Sequence, residues 1–132
     1  MFRHVDLTQR GMDAAWMRQE VHSHNIANVD TPNYRAQSVE FESMLRAAMS
    51  KEPVMEGFRT HEKHFPIGGK PDPTQVMPRT IGHTHFNIRM DENNVDIDHE
   101  MHALASNYIR YSTMQTQITS EFNKLRMVIR EG

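Results

Sequence analysis

The sequence comprises 132 residues with a formal net charge of −2 and no cysteine. The lack of cysteine excludes disulfides, thiolate metal sites and cysteine nucleophiles, and the near balance of charges argues against a nucleic-acid-binding protein. Hydrophobic residues make up 37% of the chain, which favours one narrow apolar stripe per helix over a thick core. No stretch approaches the roughly 20 apolar residues that a membrane-spanning helix needs.

The first predicted element is a helix over residues 5–28, which belongs to a helical core unit at residues 5–30. Apolar residues recur at alternating three- and four-residue steps, a heptad pattern that several polar residues interrupt. The helix is expected to end before Pro32, because proline disfavours helical geometry at the residue that precedes it. The apolar heptad positions are Leu7, Ala14, Met17 and Val21.

The middle of the chain is predicted to be less regular. An extended stretch from Tyr34 to Phe41 and a short helix from Glu42 to Met49 form a unit at residues 31–50. Five prolines and four glycines follow within residues 51–94, a density that disrupts both helices and strand ladders. We therefore predict a flexible, exposed excursion there, with its first site of proteolysis near Gly68–Gly69.

The C-terminal segment has the strongest periodicity in the chain. It predicts a helix from Asp98 to Arg130 within a core segment at residues 95–130, about 50 Å long at 1.5 Å per residue. Asp96 or Asp98 is positioned to cap its N terminus. The apolar heptad positions of this helix are Met101, Leu104, Tyr108, Tyr111, Ile118, Phe122, Leu125 and Ile129.

The two terminal helices are predicted to pair as an antiparallel, coiled-coil-like hairpin in a mainly α fold. Burial of apolar surface contributes roughly 25 cal/mol per Å², whereas ordering the backbone costs about 1–2 kcal/mol per residue, so an isolated two-helix hairpin is marginally stable. The second helix also has more apolar surface than one partner helix covers. This favours contacts with other copies of the chain. The alternative is a small bundle closed by the helix from Glu42 to Met49.

Nine histidines make a metal site worth considering. Only His99 and His102 lie three residues apart on a predicted helix, a spacing that can hold a metal ion, but no H-E-x-x-H motif is present. Gly68–Gly69 lacks the strand and helix that flank a phosphate-binding loop. We therefore predict no metal ligand, no cofactor and no catalytic residue. The other histidine pairs are His22 with His24, His61 with His64, and His83 with His85.

A motif follows the first helix, where residues 25–36 read NIANVDTPNYRA. Asn25 and Asn28 are positioned to bond the free carbonyl groups at the end of that helix. The motif resembles the signature of the flagellar rod, hook and axial protein family, and its T-P-N-Y form is most similar to the basal-body rod members. The NVDID stretch at residues 94–98 also resembles that family. The motif positions are Asn25, Ile26, Ala27, Asn28, Thr31, Pro32 and Tyr34.

The resemblance implies a structural, non-enzymatic subunit of the proximal flagellar rod, in the periplasmic part of the basal body. Such a subunit would be exported without a cleaved signal peptide. It would polymerise through its terminal helices, join the export-gate and MS-ring side to the distal rod, and transmit torque. The implied partners are other copies, a FliE-type adaptor, the rod proteins FlgC and FlgF, and the flagellar type III export gate, with neither nucleic acid nor membrane insertion. A soluble helical adaptor that binds one partner is the alternative function.

Overall fold

The computed structural model describes residues 2–50, 72–83, 90 and 92–131. Two long terminal helices dominate it, which confirms the predicted mainly α fold, and their limits lie within a few residues of those predicted. In chain order the elements are α1 (Phe2–Ala27), β1 (Gln37–Glu40), α2 (Glu42–Met49), a 3₁₀ turn (Pro73–Gln75), β2 (Arg79–Gly82) and α3 (Ile97–Glu131).

The helices α1 and α3 pack against each other in antiparallel orientation. The Asn107 side chain on α3 donates a hydrogen bond of 2.7 Å to the carbonyl oxygen of Ala15 on α1. One helical turn further along, a Cβ atom placed on Gly11 would lie 3.0 Å from the Met114 sulfur. The missing side chain at Gly11 therefore allows α1 to approach α3 closely at this level.

The longer helix α3 extends beyond α1 at one end. Its N terminus is capped by Asp96, whose carboxylate accepts the backbone N–H groups of Asp98 at 3.0 Å and His99 at 3.2 Å. At the other end, Glu121 and Phe122 border the first turns of α1, so the residues of α3 that follow them continue past this contact. This overhang, residues 123–131, is about 14 Å long. None of the described helices combines the length and apolar character that a membrane span requires.

The strands β1 and β2 form a two-stranded antiparallel sheet, in which Gln37 lies opposite Gly82 and Glu40 opposite Arg79. The Arg79 guanidinium donates two hydrogen bonds, of 2.9 and 2.6 Å, to one Glu40 oxygen. These bonds hold the pKa of Glu40 below its ordinary value. The prediction of an irregular excursion missed β2. Its partner strand β1 lies about forty residues earlier, and the residues near β2 in the sequence do not indicate that pairing.

A small apolar core lies against a second face of α1. Asp72 accepts the Thr74 backbone N–H at 2.9 Å and so caps the 3₁₀ turn. Because residues 72–83 contain this turn and β2, they are more ordered than the predicted excursion. The rest of that excursion, including Gly68–Gly69, falls outside the described residues, and its flexibility stays a prediction. The core residues are Ala14, Phe41, Ala48 and Val76, with Met44 and Leu45 packed against them.

The short helix α2 thus contacts α1 through this core, as the alternative bundle prediction requires. The Arg18 side chain on α1 also forms an ion pair with Glu42, the first residue of α2. Arg10 donates a hydrogen bond of 2.9 Å to the carbonyl oxygen of Thr74. Consequently α1 is packed on two faces, by α3 on one and by the α2 and β-sheet layer on the other.

Candidate assembly site and its supporting junction

Asn25 is the buried centre of the motif, with none of its surface exposed. Its amide nitrogen donates to the Gln37 carbonyl at 2.8 Å, and its oxygen accepts the Gln37 N–H at 3.0 Å. The same oxygen accepts the Tyr34 hydroxyl at 3.1 Å. Asn25 therefore ties the end of α1 to the start of β1. The prediction that Asn25 bonds helix carbonyls is wrong, because Gln37 and Tyr34 lie close enough to bond its side chain instead. Asn28 does bond the carbonyl oxygen of His24, at 2.8 Å.

A tight turn explains the T-P-N-Y part of the motif. The Tyr34 N–H donates to the Thr31 carbonyl at 3.3 Å, which places Pro32 and Asn33 at the two central positions. Proline suits the first of these because its φ angle is fixed, and Asn33 has the positive φ of 61° that the second requires. The turn reverses the chain so that the Tyr34 side chain reaches Asn25.

Asn93, about sixty residues later in the chain, contacts the same turn. Its side chain is fully buried, and its amide nitrogen lies close to three backbone carbonyl oxygens. The distances are 2.9 Å to Asn28, 3.0 Å to Val29 and 2.9 Å to Thr31. Its own oxygen accepts the Val95 N–H at 2.8 Å. One asparagine side chain thus bonds to backbone carbonyl groups of the segment that follows α1.

The neighbouring Asn94 adds a link to the sheet. Its oxygen accepts the Ala36 N–H at 2.6 Å and its nitrogen donates to the His83 carbonyl at 3.2 Å. We call Asn93 and Asn94 the asparagine clasp, because together they connect the motif, both strands and the start of α3. Sequence reasoning missed the clasp. The available signal was an Asn-Asn pair that ends two residues before Asp96, the capping residue of a long helix.

A polar pair lies between the two long helices beside the motif. His22 Nδ1 is 2.6 Å from Glu100 Oε2, and only 14% and 9% of the two side chains are exposed. The pKa of Tyr34 is raised, first by burial and then by the negative charge of Glu100. His22 was considered as a metal ligand together with His24, but it contacts a carboxylate on α3, and His24 is exposed. The sequence pattern contained no signal for this pairing.

The predicted heptad positions of α3 separate into two sets. The four that are partly buried are Leu104, Tyr111, Ile118 and Leu125. Four others remain 52–78% exposed, namely Met101, Tyr108, Phe122 and Ile129. Glu100, Asn107 and Glu121 lie one position before Met101, Tyr108 and Phe122, and these three residues approach α1 instead. Met114 also approaches α1, beside Gly11. On α1, Ala14 and Val21 are buried, whereas Leu7 and Met17 are partly buried.

This placement has a physical reason. The Glu100 carboxylate and the Asn107 amide nitrogen both have hydrogen-bonding partners on α1, so α3 is turned to bring that polar line inward. Burying these polar groups without partners would cost free energy, whereas exposed apolar side chains remain available to a further surface. That all twelve predicted positions serve in assembly stays a prediction.

An open groove runs between α1 and α3 on the side of the exposed heptad positions. Trp16 is 66% exposed, and its ring centroid lies 6.5 Å from that of Tyr111 at an interplanar angle of 50°. Aromatic and methionine side chains in such positions are enriched at protein–protein contacts. We call it the aromatic groove, and its apolar lining consists of Val5, Met12, Trp16, Tyr111, Ile118 and Phe122.

Comparison with known proteins identifies the family. The family model described as "Flagella basal body rod protein" matches residues 7–35, which span most of α1 and the turn. The flagellar basal body rod protein FlgB of Bacillus subtilis (strain 168) is 32% identical over 124 residues, covering 94% of this chain and 91% of that protein. The chain belongs to the FlgB family of flagellar basal body rod proteins.

Other members of the FlgB family agree over a similar extent. FlgB of Borreliella burgdorferi is 32% identical over 130 residues, covering 97% of this chain and 96% of that protein. FlgB of Escherichia coli (strain K12) is 28% identical over 128 residues, covering 94% and 91%. The likeness therefore includes both long helices and the region between them, beyond the motif that the family model matches.

The histidines are scattered within the described part of the chain. No group of three or more His, Asp or Glu side chains there could hold a metal ion. His99 and His102 are both exposed on the first turns of α3. Three further histidines, His61, His64 and His85, lie outside the described residues. That the protein has no metal ligand, cofactor or catalytic residue stays a prediction.

The turn of the FlgB-family motif is open to a direct test at Asn33. Asn33→Val is expected to lower the free energy of unfolding by about 1–2 kcal/mol, because a β-branched residue does not tolerate a positive φ angle. Asn33→Gly, the matched control, should change it by less than about 0.5 kcal/mol, since glycine adopts this conformation readily. Urea unfolding followed by far-ultraviolet circular dichroism measures both. Equal stability of the two variants would contradict the assigned turn.

Proposed function

We propose that this chain is a structural subunit of the proximal rod of the bacterial flagellum and polymerises through its terminal helices. In this role it joins the export-gate and MS-ring side of the basal body to the distal rod and transmits torque, with no bond chemistry. Its proposed partners are other copies, a FliE-type adaptor, the rod proteins FlgC and FlgF, and the flagellar type III export gate. The observation that carries the proposal is the likeness to FlgB proteins over at least nine-tenths of the chain.

The geometry of the described residues suits this role. A rod subunit that transmits torque needs a stiff body and surfaces for several neighbours. The clasp of Asn93 and Asn94 fixes both long helices to the sheet, which provides stiffness. Exposed apolar side chains along α3, among them Tyr108 and Ile129, provide surface that this chain does not itself cover. Such surface is typical of proteins that assemble.

The test is incorporation into basal bodies. In cells that lack their own copy, the wild-type chain should restore swimming and be recovered with purified rods. Ile118→Asp and Leu125→Asp should each abolish both, because a charge at a partly buried apolar position costs several kcal/mol unless it is paired. Ser106→Asp is the matched control on the same helix, and its exposed position should tolerate the change.

Two outcomes would contradict the proposal. If the wild-type chain is absent from purified basal bodies and is recovered with a single soluble partner, the helical-adaptor alternative is correct. If cells with Ile118→Asp or Leu125→Asp swim normally, the terminal helices do not carry the assembly contacts.

A further inference from the structure

The overhang of α3, residues 123–131, combines apolar surface with positive charge. Met127, Val128 and Ile129 are all more than half exposed there. Arg126 and Arg130 are exposed as well, and within the described residues neither has an ion-pair partner. Positive charge at the end of a helix suits the helix dipole, but the dipole does not account for the apolar side chains beside it.

An acidic line runs along α1 next to the aromatic groove. Asp6, Asp13 and Glu20 are exposed and seven residues apart, so they lie on one side of the helix. Asp13 itself borders the groove and also forms an ion pair of 3.6 Å with Arg10. The apolar groove is therefore bordered by the negative charge of Asp13, and Asp6 and Glu20 lie on the same side of α1.

We propose that the overhang of one copy docks in the aromatic groove of the next copy, with its arginines against the acidic line. This inference rests on the proposed function and specifies which surfaces of neighbouring subunits meet. The two surfaces match in charge and in apolar character. They are also similar in length, because the overhang extends about 14 Å and the stretch of α1 from Val5 to Trp16 about 17 Å.

A chain cannot make this contact with itself. The groove lies beside the part of α3 from Tyr111 to Phe122. The overhang continues α3 beyond this part and therefore leads away from the groove. A continuous helix does not fold back on its preceding turns. The contact is therefore heterologous, joining two different surfaces, and such contacts repeat from copy to copy into an open helical assembly unless the rotation closes a ring.

Disulfide cross-linking tests the contact directly, because the natural sequence has no cysteine. The double variant Asp13→Cys/Arg126→Cys should yield dimers, trimers and larger ladders when assembled basal bodies are mildly oxidised. The two positions of one chain are about 20 Å apart along the helices, beyond the 7 Å limit for a disulfide, so every bond formed joins two copies. Asp98→Cys/Arg126→Cys is the matched control and should give no ladder, because Asp98 lies at the far end of α3.

Charge exchange provides a second, independent measurement. Arg126→Glu/Arg130→Glu should reduce the amount of chain in basal bodies about tenfold, and Asp6→Lys/Asp13→Lys/Glu20→Lys should do the same. Combining all five substitutions should restore most of the loss, since the attraction is then re-formed with signs reversed. Far-ultraviolet circular dichroism of each purified variant checks that the helices are retained.

Each outcome decides the inference. Ladders with the first cysteine pair alone, together with rescue by charge exchange, support it. Products that stop at dimers, cross-links to another rod protein, or basal bodies with no ladder would overturn it while leaving the proposed rod function intact. Absence of the wild-type chain from basal bodies would overturn the rod function itself.

Discussion

Asn25→Leu is expected to lower the free energy of unfolding by about 3 kcal/mol and to prevent incorporation into the rod. The substitution removes the partners of the Gln37 N–H, the Gln37 carbonyl and the Tyr34 hydroxyl at a fully buried position. Each buried polar group without a hydrogen bond costs about 1–3 kcal/mol. Because Gln37 is exposed and Tyr34 only partly buried, water can replace some of the lost bonds, which places the total at the low end of the sum for three groups. Urea unfolding followed by circular dichroism measures the change.

Two controls separate the hydrogen bonds from general effects of the substitution. Tyr34→Phe removes one of the three bonds to Asn25 and should cost only about 1 kcal/mol. Asn123→Leu makes the same chemical change at an exposed site on α3 and should cost less than about 0.5 kcal/mol. If Asn25→Leu is as stable as Asn123→Leu, then the hydrogen bonds of Asn25 do not connect the end of α1 to the start of β1.

His22→Leu is expected to lower the free energy of unfolding by about 3 kcal/mol, because it leaves the Glu100 carboxylate almost buried without its imidazole partner. The double variant His22→Leu/Glu100→Leu should recover most of this loss, since apolar side chains of similar size remove the need for a partner. The double-mutant cycle therefore gives the coupling energy of the pair. Single and double variants of equal stability would show that the two side chains are not coupled.

The same cycle has a second readout at Tyr34. Because Glu100 is the smaller of the two causes that raise the pKa of Tyr34, Glu100→Leu should lower that pKa only partly towards its ordinary value of 10.0. A raised pKa in the fold stabilises the protein below the pKa of the unfolded chain, and this contribution is lost as pH rises through the folded pKa. Alkaline unfolding of the wild-type chain should depend on this tyrosine, and Tyr34→Phe should remove that dependence.

Local chemistry along the sequence determined the two long helices, the short helix α2 and the turn. Helical periodicity repeats every three to four residues, and caps such as Asp96 act on the next turn, so these features are readable without the fold. The T-P-N-Y motif likewise acts over four residues. Its combination with a heptad helix was enough to indicate the protein family.

Only the tertiary structure decided which side of α3 faces α1 and which groups connect the end of α1, the sheet and the start of α3. Periodicity marked two adjacent apolar lines on α3, but only the pairing of Glu100 with His22 and of Asn107 with Ala15 selects the line that faces α1. The asparagine clasp, likewise, bonds groups of the motif that lie 58 to 65 residues earlier in the chain. Contacts over such separations depend on how the whole chain packs, because any one of many polar side chains could satisfy the same backbone group.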